Sequence, residues 1–570
     1  MEIKNTKLPN EPAFVHLLKV AREVKDVIFY DPTHGVESDF DQLLTDIVRT
    51  RNLLLESIPN LMFDQRHILR DQNPYIFLLT DMKYDYTVGA LAILSIGGAF
   101  IPLPNDVMPE EVLEHIRRSK SKVILGSDTC MSLVENIQRH GCLHDLQVIS
   151  SPICVKISPI LDGGATSIGI DEKAIVPLER PSMVLFTSGT SGPPKGVVHT
   201  RKLFNGFPSL IGPGDVVLHH QHPSWVAGAL PLIRHPLSGA RLEVISSDPA
   251  VIWKRLHQGG VTILTGNPRI WNGLMRYFKH HLCSLPSKEL NQYIAAAQKI
   301  RLAQSGGMVP SSSLMKFWRE EIDLALRNSY GATELGGRGL CTSPDTDVGL
   351  QFCIGRPRRT VEVKLSDGDH GEILIKNPVM FSHYLGDESA TQAAFTEDRF
   401  FRTGDIARKV GEDYVLEGRG ERDIIKNGTY KVSLLEVEQQ LLNLPFIQEG
   451  CIVSVLDSHN VSRVAALVRF EKPNKCREIE LHRPDEPSLD FIRDHLAINL
   501  PVYMLPTALR ILREGEYIPQ TASHKVIKAQ AVQQYFQLSD DSELFGSVEL
   551  CDIDACKPTV RSRAWDAAGK

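Results

Sequence analysis

Helical and strand-like segments alternate along the first four hundred or so residues, and this alternation constrains the fold more than any other feature. Residues 109–119 have the apolar spacing of an amphipathic helix, whereas residues 122–125 and 240–245 are short apolar runs typical of buried strands. Strands that alternate with helices form largely parallel sheets covered by helices. We therefore expect an α/β architecture over this part of the chain.

The sequence pattern changes near Gly418, where a charged, glycine-punctuated stretch is typical of a segment that joins domains. Ser433 and Glu436 then have the spacing of a capping box at the start of a helix. Residues 450–456 and 463–470 are apolar runs that predict strands. This second region is long enough for a small α+β domain.

The chain has 570 residues, which is too long for one hydrophobic core, so we expect it to divide into domains. The change in pattern predicts a first domain at residues 1–417 and a small domain at 418–536. The tail at 537–570 begins with many Asp and Ser residues and lacks periodicity, so we expect it to be poorly ordered. Residues 86–105 carry no charge, but their paired glycines favour a buried helix, a turn and a strand over a membrane span.

Charge and cysteine content exclude several classes of function. A net charge of -6 without a long basic stripe argues against a nucleic-acid partner. The ten cysteines form no CxxC pairs, so we expect neither a disulfide framework nor a structural zinc site. The cluster His219, His220 and His222 precedes a proline and predicts a loop, not a metal site. Because no targeting signal is recognised at either end, we expect a cytoplasmic protein with reduced thiols.

The stretch SMVLFTSGTSGPPKGVVHT, residues 182–200, places a polar loop directly after a short apolar strand. Hydroxyl groups, closely spaced glycines and one lysine suit the oxygen atoms of phosphate groups. The pattern is not a Walker A loop, because Pro194 precedes the lysine and Gly196 follows it. By composition alone, a solvated surface loop explains the stretch equally well. The candidate phosphate-binding residues are Thr187, Ser188, Gly189, Thr190 and Lys195.

Four further motifs follow along the chain, and each one alone is better explained as a structural turn. AQSGGMVP contains Gly306 and Gly307, which leave room for a flat ring against the backbone, and NSYGATE places an aromatic ring, a hydroxyl and a carboxylate in one tight loop. FFRTGDIA presents Asp405 after a turn glycine, where it suits vicinal hydroxyls, and IPQTASHKVIK places Lys525 in a turn. Taken together in this order, the five motifs are a strong signal.

The five motifs resemble those of the AMP-forming adenylating superfamily, which includes acyl-CoA synthetases, peptide-synthetase adenylation domains and beetle luciferases. The resemblance covers residues 75–535, and KIRLAQSGG, FFRTGD and DIIKNGTYKVSLLEVEQQLLNLP look most like the malonyl-CoA synthetase branch. It implies a large multi-sheet ATP-binding domain with a small mobile α+β lid domain. It also implies an acid–thiol ligase that uses ATP and Mg2+ to convert a carboxylic acid to acyl-AMP, then transfers the acyl group to coenzyme A.

The resemblance further implies roles for individual residues. The residues implied to bind the β- and γ-phosphates are Thr187, Ser188, Thr190 and Lys195, with Gly189 in the same loop. Those implied to contact adenine or the α-phosphate are Tyr330, Gly306, Gly307, Gly331 and Thr333, while Glu334 would help to hold Mg2+. Those implied to act from later motifs are Asp405 with Arg419 on the ribose, and Lys525 between the carboxylate and the α-phosphate. Because Lys525 lies in the lid, the lid must close and then turn about a hinge near Glu421.

Several positions depart from the family pattern at the acyl pocket. Val226 stands where many relatives have histidine, and Ser329 stands where malonyl-CoA synthetases have arginine, so we do not transfer malonate as the substrate. Arg269 and Arg338 are candidates for pairing with a second carboxylate, although solvation at the surface explains both. The residues expected at the substrate are Trp225, Val226, Arg269, Ser305 and Ser329.

Three alternatives to an acyl-CoA synthetase stay open at this point. A stand-alone adenylating enzyme that loads a carrier protein would share the first step, although the aspartate that usually receives an amino group is missing from HPSWVAG. A luciferase-like oxygenase would have a similar adenylation core. A non-catalytic nucleotide-binding relative would have no need for Lys525 on a second, mobile domain.

Overall fold

The computed structural model describes residues 6–70, 74–155, 167–187, 194–205, 210–347, 349–427, 430–456, 462–471, 488–521, 525–536 and 548–551. The chain divides into two compact units. The first unit comprises Met1–Gly349, Ile354–Val363 and Ile375–Phe401. The second unit comprises Leu350–Cys353, Lys364–Leu374 and Arg402–Lys570.

Helices of the first unit, within the described residues, are α1 (Pro12–Glu23), α2 (Phe40–Ser57), α3 (Lys83–Ser95), α4 (Pro109–Ser119), α5 (Met131–Cys142), α6 (Val226–Ser238), α7 (Pro249–His257), α8 (Pro268–Tyr277), α9 (Ser287–Gln298), α10 (Ser312–Lys316) and α11 (Glu388–Ala393). Those of the second unit are α12 (Gly420–Asp423), α13 (Leu434–Leu442), α14 (Leu489–Leu496) and α15 (Lys528–Tyr535). None of the helices described is both long enough and apolar enough to cross a membrane.

Strands up to residue 219 are β1 (Lys7–Asn10), β2 (Phe29–Asp31), β3 (Val36–Ser38), β4 (Tyr75–Leu79), β5 (Ala99–Leu103), β6 (Val123–Gly126), β7 (Ile149–Pro152), β8 (Gly169–Ile175), β9 (Pro181–Thr187), β10 (Lys195–Thr200) and β11 (Val216–His219). Strands up to residue 384 are β12 (Arg241–Val244), β13 (Ile263–Gly266), β14 (Leu302–Gly306), β15 (Leu326–Ala332), β16 (Gly337–Cys341), β17 (Cys353–Pro357), β18 (Glu362–Asp367), β19 (His370–Lys376) and β20 (His383–Tyr384). The later strands are β21 (Phe401–Val410), β22 (Asp413–Gly418), β23 (Ile424–Asn427), β24 (Tyr430–Ser433), β25 (Ile447–Leu456), β26 (Ser462–Phe470), β27 (Ala508–Ile511) and β28 (Glu549–Leu550).

One sheet of the first unit has the strand order β20-β10-β9-β5-β4-β6-β7. Its strands β9, β5, β4, β6 and β7 are parallel to one another, while β10 forms antiparallel pairs with β9 and β20. The uncharged segment 86–105 contributes the buried helix α3, a turn at Gly97 with a φ of 73° and the strand β5. The prediction of a helix, a turn and a strand is confirmed.

The other large sheet of the first unit has parallel pairs throughout the series β2-β12-β11-β13-β14-β15. On one face, Val217, Ile263 and Leu302 pack in the core that contains α6; we call this the α6 face. On the other face, Leu218 and Leu264 pack with three fully buried tryptophans; we call this the tryptophan face. The predicted α/β architecture with parallel sheets is confirmed.

The second unit is built around the strand order β25-β26-β27-β28. Apolar side chains of α13 and α14 pack against one face of this sheet, and those of α15 pack against the other. Ser433 begins α13 as its N-cap, because its Oγ accepts a hydrogen bond from the Glu436 backbone N–H at 3.3 Å. This confirms the predicted helix start and the α+β character of the region.

Four sequence expectations differ from the structure or lie outside it. Residues 328–332 were expected in a tight loop, but β15 continues through Ala332 because it pairs with both β14 and β16. Asp405 was expected after a turn, but Gly404 and Asp405 lie within β21. Cys551 is disulfide-bonded, which contradicts the expectation of reduced thiols at that position. The predicted disorder of the tail concerns residues 537–547 and 552–570, which lie outside the described residues.

Candidate active site

The strands β9 and β10 form an antiparallel hairpin that holds the two ends of the predicted phosphate-binding loop. Thr187 and Lys195 are partners in the strand register, and the Thr187 hydroxyl donates a hydrogen bond to the Lys195 carbonyl at 3.4 Å. Strong β propensity on both sides of the loop, MVLF and VV, explains why the chain pairs here. The predicted contacts of Ser188, Gly189 and Thr190 concern residues outside the described part of the chain.

Tyr384 joins two of the predicted site residues that are far apart in sequence. The Lys195 Nζ lies 4.9 Å from the centre of the Tyr384 ring, in the geometry of a cation–π contact. The Tyr384 hydroxyl donates a hydrogen bond to Glu334 Oε1 at 3.0 Å. Burial and the neighbouring Glu334 carboxylate raise the pKa of Tyr384, so its hydroxyl keeps the proton that it donates. The structure thus brings Lys195, Tyr384 and Glu334 together.

Sequence reasoning missed Tyr384, although one signal for it was present. Tyr384 lies in β20, which pairs with β10 through Val197, and this pairing brings it beside Lys195. The short apolar run around FSHYLG could have predicted an added edge strand, but not its partner.

His199 links the hairpin to the turn that follows β15. Its Nε2 lies 2.9 Å from the Thr333 carbonyl, to which it donates a hydrogen bond. Burial lowers the pKa of His199 to about 4, so the ring is neutral at neutral pH. This bond fixes the backbone at Thr333, the residue just before the Glu334 carboxylate.

The paired glycines after β14 lie against the neighbouring strand. A Cβ on Gly306 would lie 3.2 Å from the Ser329 carbonyl, and Gly307 has a φ of 83°, which favours glycine. Glycine at 306 thus avoids a close contact with β15, and glycine at 307 adopts a backbone conformation that other residues rarely adopt. Tyr330 and Gly331 lie on the adjacent strand β15, where the register shifts between them.

The structure separates two of the residues predicted at the substrate. Ser305 is the register partner of Asn328, and Ser329 is the partner of Gly306. Because neighbouring residues of a strand point to opposite faces, Ser305 lies on the tryptophan face and Ser329 on the α6 face. Ser305 and Ser329 therefore do not project into the same side of the sheet.

Trp225 and Val226 form the start of α6, where the chain passes very close to the preceding loop. An added Cβ on Gly228 would lie 1.8 Å from the His222 carbonyl, so only glycine fits this position. Arg269 is exposed in the first turn of α8, whose residue Trp271 packs on the tryptophan face. Val226 and Arg269 thus belong to elements on opposite faces.

His219 ends the strand β11, which contradicts the predicted loop at that position, while His220 and His222 follow the strand; all three are buried or half-buried. Burial lowers the pKa of His220 to about 4, and its Nε2 lies 3.0 Å from the Thr265 carbonyl. Burial also lowers the pKa of His219 and His222. Among the residues that the structure describes, no group of three or more His, Cys, Asp or Glu side chains could hold a metal ion.

The predicted ribose-binding pair lies in the second unit. Asp405 is 7% exposed, and its Oδ1 accepts a hydrogen bond from Arg419 Nε at 2.7 Å. The Thr403 hydroxyl accepts a hydrogen bond from the Asp405 backbone N–H at 3.1 Å. Arg419 therefore fixes the direction of the carboxylate, as sequence reasoning expected for two nearby residues.

Lys525 belongs to the second unit and is exposed, while the residues just before it, in the predicted turn, lie outside the described part of the chain. The Thr521 backbone N–H donates to the Lys525 carbonyl at 2.8 Å, and the Lys525 N–H donates to the Thr521 hydroxyl at 3.2 Å. Three residues later, at the start of α15, Lys528 forms an ion pair with Asp423 at 2.7 Å. The two bonds between Thr521 and Lys525 hold the backbone of Lys525 in place.

Comparisons with known proteins agree on one family. A family model described as "AMP-binding enzyme" matches residues 66–385. The chain is 30% identical to "Acyl-CoA ligase oryP" of Aspergillus oryzae, over 98% of this chain and 100% of the relative. It is 27% identical to "Malonate--CoA ligase" of Arabidopsis thaliana, over 78% of this chain and 75% of that relative. Its fold matches the crystal structure of ATP-bound MatB from Rhodopseudomonas palustris with a TM-score of 0.72 and 19% identity, covering 92% of this chain and 98% of that one.

Proposed function

Since this chain belongs to the family of AMP-binding enzymes, we propose that it is an acyl-CoA ligase that activates a free carboxylic acid with ATP. It is an acid–thiol ligase with ATP and coenzyme A as co-substrates. In the first step a carboxylate oxygen attacks the α-phosphorus of ATP, and pyrophosphate leaves. In the second step the sulfur of coenzyme A attacks the acyl carbon, and AMP leaves.

This two-step route follows from the chemistry of a carboxylate. Its negative charge and its poor leaving group both oppose attack by a thiol, so the acyl carbon must first receive a better leaving group. AMP is such a group. Forming the acyl-AMP requires donors and positive charge that meet the charge developing on the phosphates.

The observation that carries the proposal is the cluster of Lys195, Tyr384 and Glu334. Lys195 begins β10 directly after the predicted phosphate loop, with an exposed cationic end. One oxygen of Glu334 accepts a hydrogen bond from the Tyr384 hydroxyl, which orients the carboxylate and leaves its other oxygen for a ligand. A cation and an oriented carboxylate at one end of a sheet suit the polyphosphate of a nucleotide and its counter-ion.

Glu334 also fits the Mg2+ that such a reaction uses. Mg2+ is usually bound by one or two carboxylates together with substrate phosphates and water, so one oriented carboxylate is sufficient. The ion would neutralise charge on the phosphates. Tyr384 would hold Glu334 in the orientation that this requires.

The second unit supplies the other two roles in the proposal. The Asp405 carboxylate, oriented by Arg419, can accept hydrogen bonds from the two vicinal hydroxyls of a ribose. Lys525 would bridge the carboxylate of the acid and the α-phosphate in the first step. This role requires its turn to approach the nucleotide for the first step and to leave for the second. A domain boundary at 417/418 and a hinge near Glu421 are part of this proposal.

The proposal is tested by acid-dependent release of pyrophosphate from ATP and Mg2+, across mono-, di- and tricarboxylic acids and amino acids, with and without coenzyme A. We expect one acid class to drive release, with AMP and an acyl-CoA appearing when coenzyme A is added. Release without transfer to coenzyme A would favour a carrier-protein acceptor. ATP binding without release from any acid would contradict the proposal.

A cytoplasmic location is also part of the proposal and rests on the sequence alone. Among the relatives, the malonate–CoA ligases of Homo sapiens and Mus musculus are named as mitochondrial. Fractionation of cells that express the untagged protein would decide between the two compartments.

A further inference from the structure

A row of polar side chains crosses the α6 face of the parallel sheet, at the third residue of β13, the third residue of β14 and the second residue of β15. Thr265 is the register partner of Gln304, and Gln304 is the partner of Arg327. Gln304 lies two residues after Leu302, which packs in the core of this face, so alternation places all three residues on it. We call Thr265, Gln304 and Arg327 the polar row.

Two further polar residues share this face by the same alternation. Ser329 lies two residues after Arg327 on β15, and His219 lies two residues after Val217 at the end of β11. In open parallel sheets, ligands bind outside the carboxyl ends of the strands. His219 ends β11 and Ser329 pairs with Gly306, the last residue of β14, so both lie at the edge where a ligand of this sheet is expected, beside the polar row.

Three of these residues each have one polar side-chain atom that the rest of the described chain does not satisfy. Gln304 is 6% exposed, Ser329 is 8% exposed and His219 is 4% exposed. Gln304 Oε1, Ser329 Oγ and His219 Nε2 have no hydrogen-bond partner among the described residues. Since an unpaired buried polar group destabilises the fold, several together at one edge indicate a place completed by a polar ligand.

Arg327 brings a positive charge to the polar row without a counter-charge. It is half-buried, yet it makes no hydrogen bond or ion pair within the described part of the chain. Other arginines around this sheet are paired: Arg301 with Asp215, and Arg255 with Glu243. Sequence reasoning treated Ser329 as the loss of a positive charge at the pocket, but Arg327 lies on the same strand face two residues earlier.

We propose that the polar row binds a second carboxylate of the acid substrate, so that the acid is a dicarboxylic or otherwise anionic acyl donor. This inference rests on the proposed function, because it names the substrate of the same site. Arg327 would donate paired hydrogen bonds to the carboxylate, and the Ser329 hydroxyl would donate a third. Gln304 can add a donor by rotating its amide group.

One of the two competing candidates for this role, Arg269, lies on a helix that packs on the other face of the sheet. It lies on α8, which packs on the tryptophan face through Trp271 and Leu274. A carboxylate held at the polar row therefore lies on the opposite face of the sheet from the one on which the helix of Arg269 packs. If Arg327 binds the second carboxylate, replacing Arg327 should weaken the use of a dicarboxylic acid, whereas replacing Arg269 should not.

The test compares acids of matched chain length that differ only at the far end. For glutarate, its monoamide glutaramate and pentanoate, and for the corresponding shorter and longer series, kcat/KM is measured for acid-dependent pyrophosphate release by the unaltered protein. We expect at least one dicarboxylate to exceed both its monoamide and its monocarboxylate by about tenfold or more. If no chain length favours the dicarboxylate, the inference is wrong while the ligase activity stands. If no acid of any class releases pyrophosphate, the proposed function fails and the inference falls with it.

Variants of Arg327 and Arg269 then test which arginine binds the second carboxylate. Arg327→Met should lower kcat/KM for the preferred dicarboxylate by about tenfold or more, while Arg327→Lys keeps part of the preference. The monocarboxylate of the same length and the exposed control Arg22→Met should change by no more than about twofold. Loss of the preference in Arg269→Met but not in Arg327→Met would overturn the assignment. ATP binding by each variant confirms its fold. If Arg327→Met does not bind ATP, the result for Arg327→Lys and the comparison of acids decide whether the polar row binds the second carboxylate.

Discussion

The two units each contain a cluster built around a lysine, and the clusters use that charge in opposite ways. In the first unit, the Lys195 amine lies over the Tyr384 ring and is exposed, with a carboxylate held nearby by the Tyr384 hydroxyl. In the second unit, the Lys528 side chain is 31% exposed and forms ion pairs with Asp423 at 2.7 Å and Glu438 at 3.9 Å. The first cluster leaves its cation available to a ligand, whereas the second neutralises it internally.

This difference separates a binding role from a structural role for the same side chain. Burial opposes the charge of Lys528, but Glu438 and Asp423 outweigh burial and raise its pKa, so it stays protonated. Glu438 also accepts a hydrogen bond from the Ile452 backbone, which ties the pair to the central sheet of the second unit. Lys525, only three residues before Lys528, is exposed and is the lysine of this unit that we assign to chemistry.

The largest effect is expected from replacing Lys525, and it distinguishes the role of Lys525 from that of Lys528. Lys525→Ala should reduce acyl-AMP formation by about a thousandfold, because it removes the positive charge assigned to the attacked phosphate. Thiolysis of supplied acyl-AMP should be largely unchanged. Both half-reactions are measured separately, with exposed Lys288→Ala on α9 as the control. Equal loss in the two half-reactions would contradict the assignment.

Lys528→Met should act on stability and not on one half-reaction. Removal of the cation leaves Asp423 and Glu438 without their partner, so we expect a loss of about 2–3 kcal/mol in the free energy of unfolding. The value lies below that of a fully buried pair because Lys528 is partly exposed. Denaturant unfolding measures the loss, and Lys528→Arg should recover most of it. A selective loss of adenylation at unchanged stability would assign Lys528 to the chemistry instead.

Tyr384→Phe tests the cluster of Lys195, Tyr384 and Glu334, and its expected effect is smaller than those of the two lysine variants. The ring under Lys195 is retained, but the hydrogen bond to Glu334 is lost, so the carboxylate is no longer oriented. We expect about a tenfold loss of kcat in the first step, together with a higher Mg2+ concentration for half-maximal rate. Tyr30→Phe, whose ring lies beside Arg241, is the matched control. An unchanged Mg2+ dependence would contradict the role given to Glu334.

The sequence predicted the elements of the site better than their arrangement. The apolar runs on either side of the phosphate loop predict β9 and β10, and local hydrogen bonding predicts the cap at Ser433. The pairing of β20 with β10, which brings Tyr384 to Lys195, depends on contacts between residues almost two hundred positions apart. No local pattern encodes such a pairing.

Strand register explains the remaining differences between sequence and structure. Asn, Ser and Gly in NSYGATE favour a turn, but pairing on both sides keeps residues 328–332 extended. Once β15 is a strand, alternation decides that Arg327 and Ser329 share a face and that Ser305 does not. Because residues 328–332 were expected in a loop, no sheet face could be assigned to them. The face that Arg327 shares with Ser329 could therefore not be recognised from the sequence.

The smallest expected effect comes from the protonation of buried histidines. It should change the stability of the first unit more than that of the second. Burial lowers the pKa of His199 to about 4, while an unfolded histidine titrates near its ordinary value of 6.5. The unfolded chain therefore binds more protons than the folded one between pH 6.5 and 4. The contribution of His199 to the stability of the folded protein is fully present above pH 6.5 and is lost as the pH falls toward 4.

Replacing His199 by Gln should remove this contribution while keeping an N–H group that can donate to the Thr333 carbonyl. Between pH 7.5 and 5.5, we expect the unaltered protein to lose about 1 kcal/mol more than His199→Gln in the free energy of unfolding of the first unit. Among the described residues, the histidines with a lowered pKa all lie in that unit: His115, His199, His219, His220, His222 and His383. Hydrogen exchange measured at both pH values should therefore show β9 and β10 losing protection before β25 and β26. The opposite order would place the acid-sensitive groups in the second unit and remove His199 as their main source.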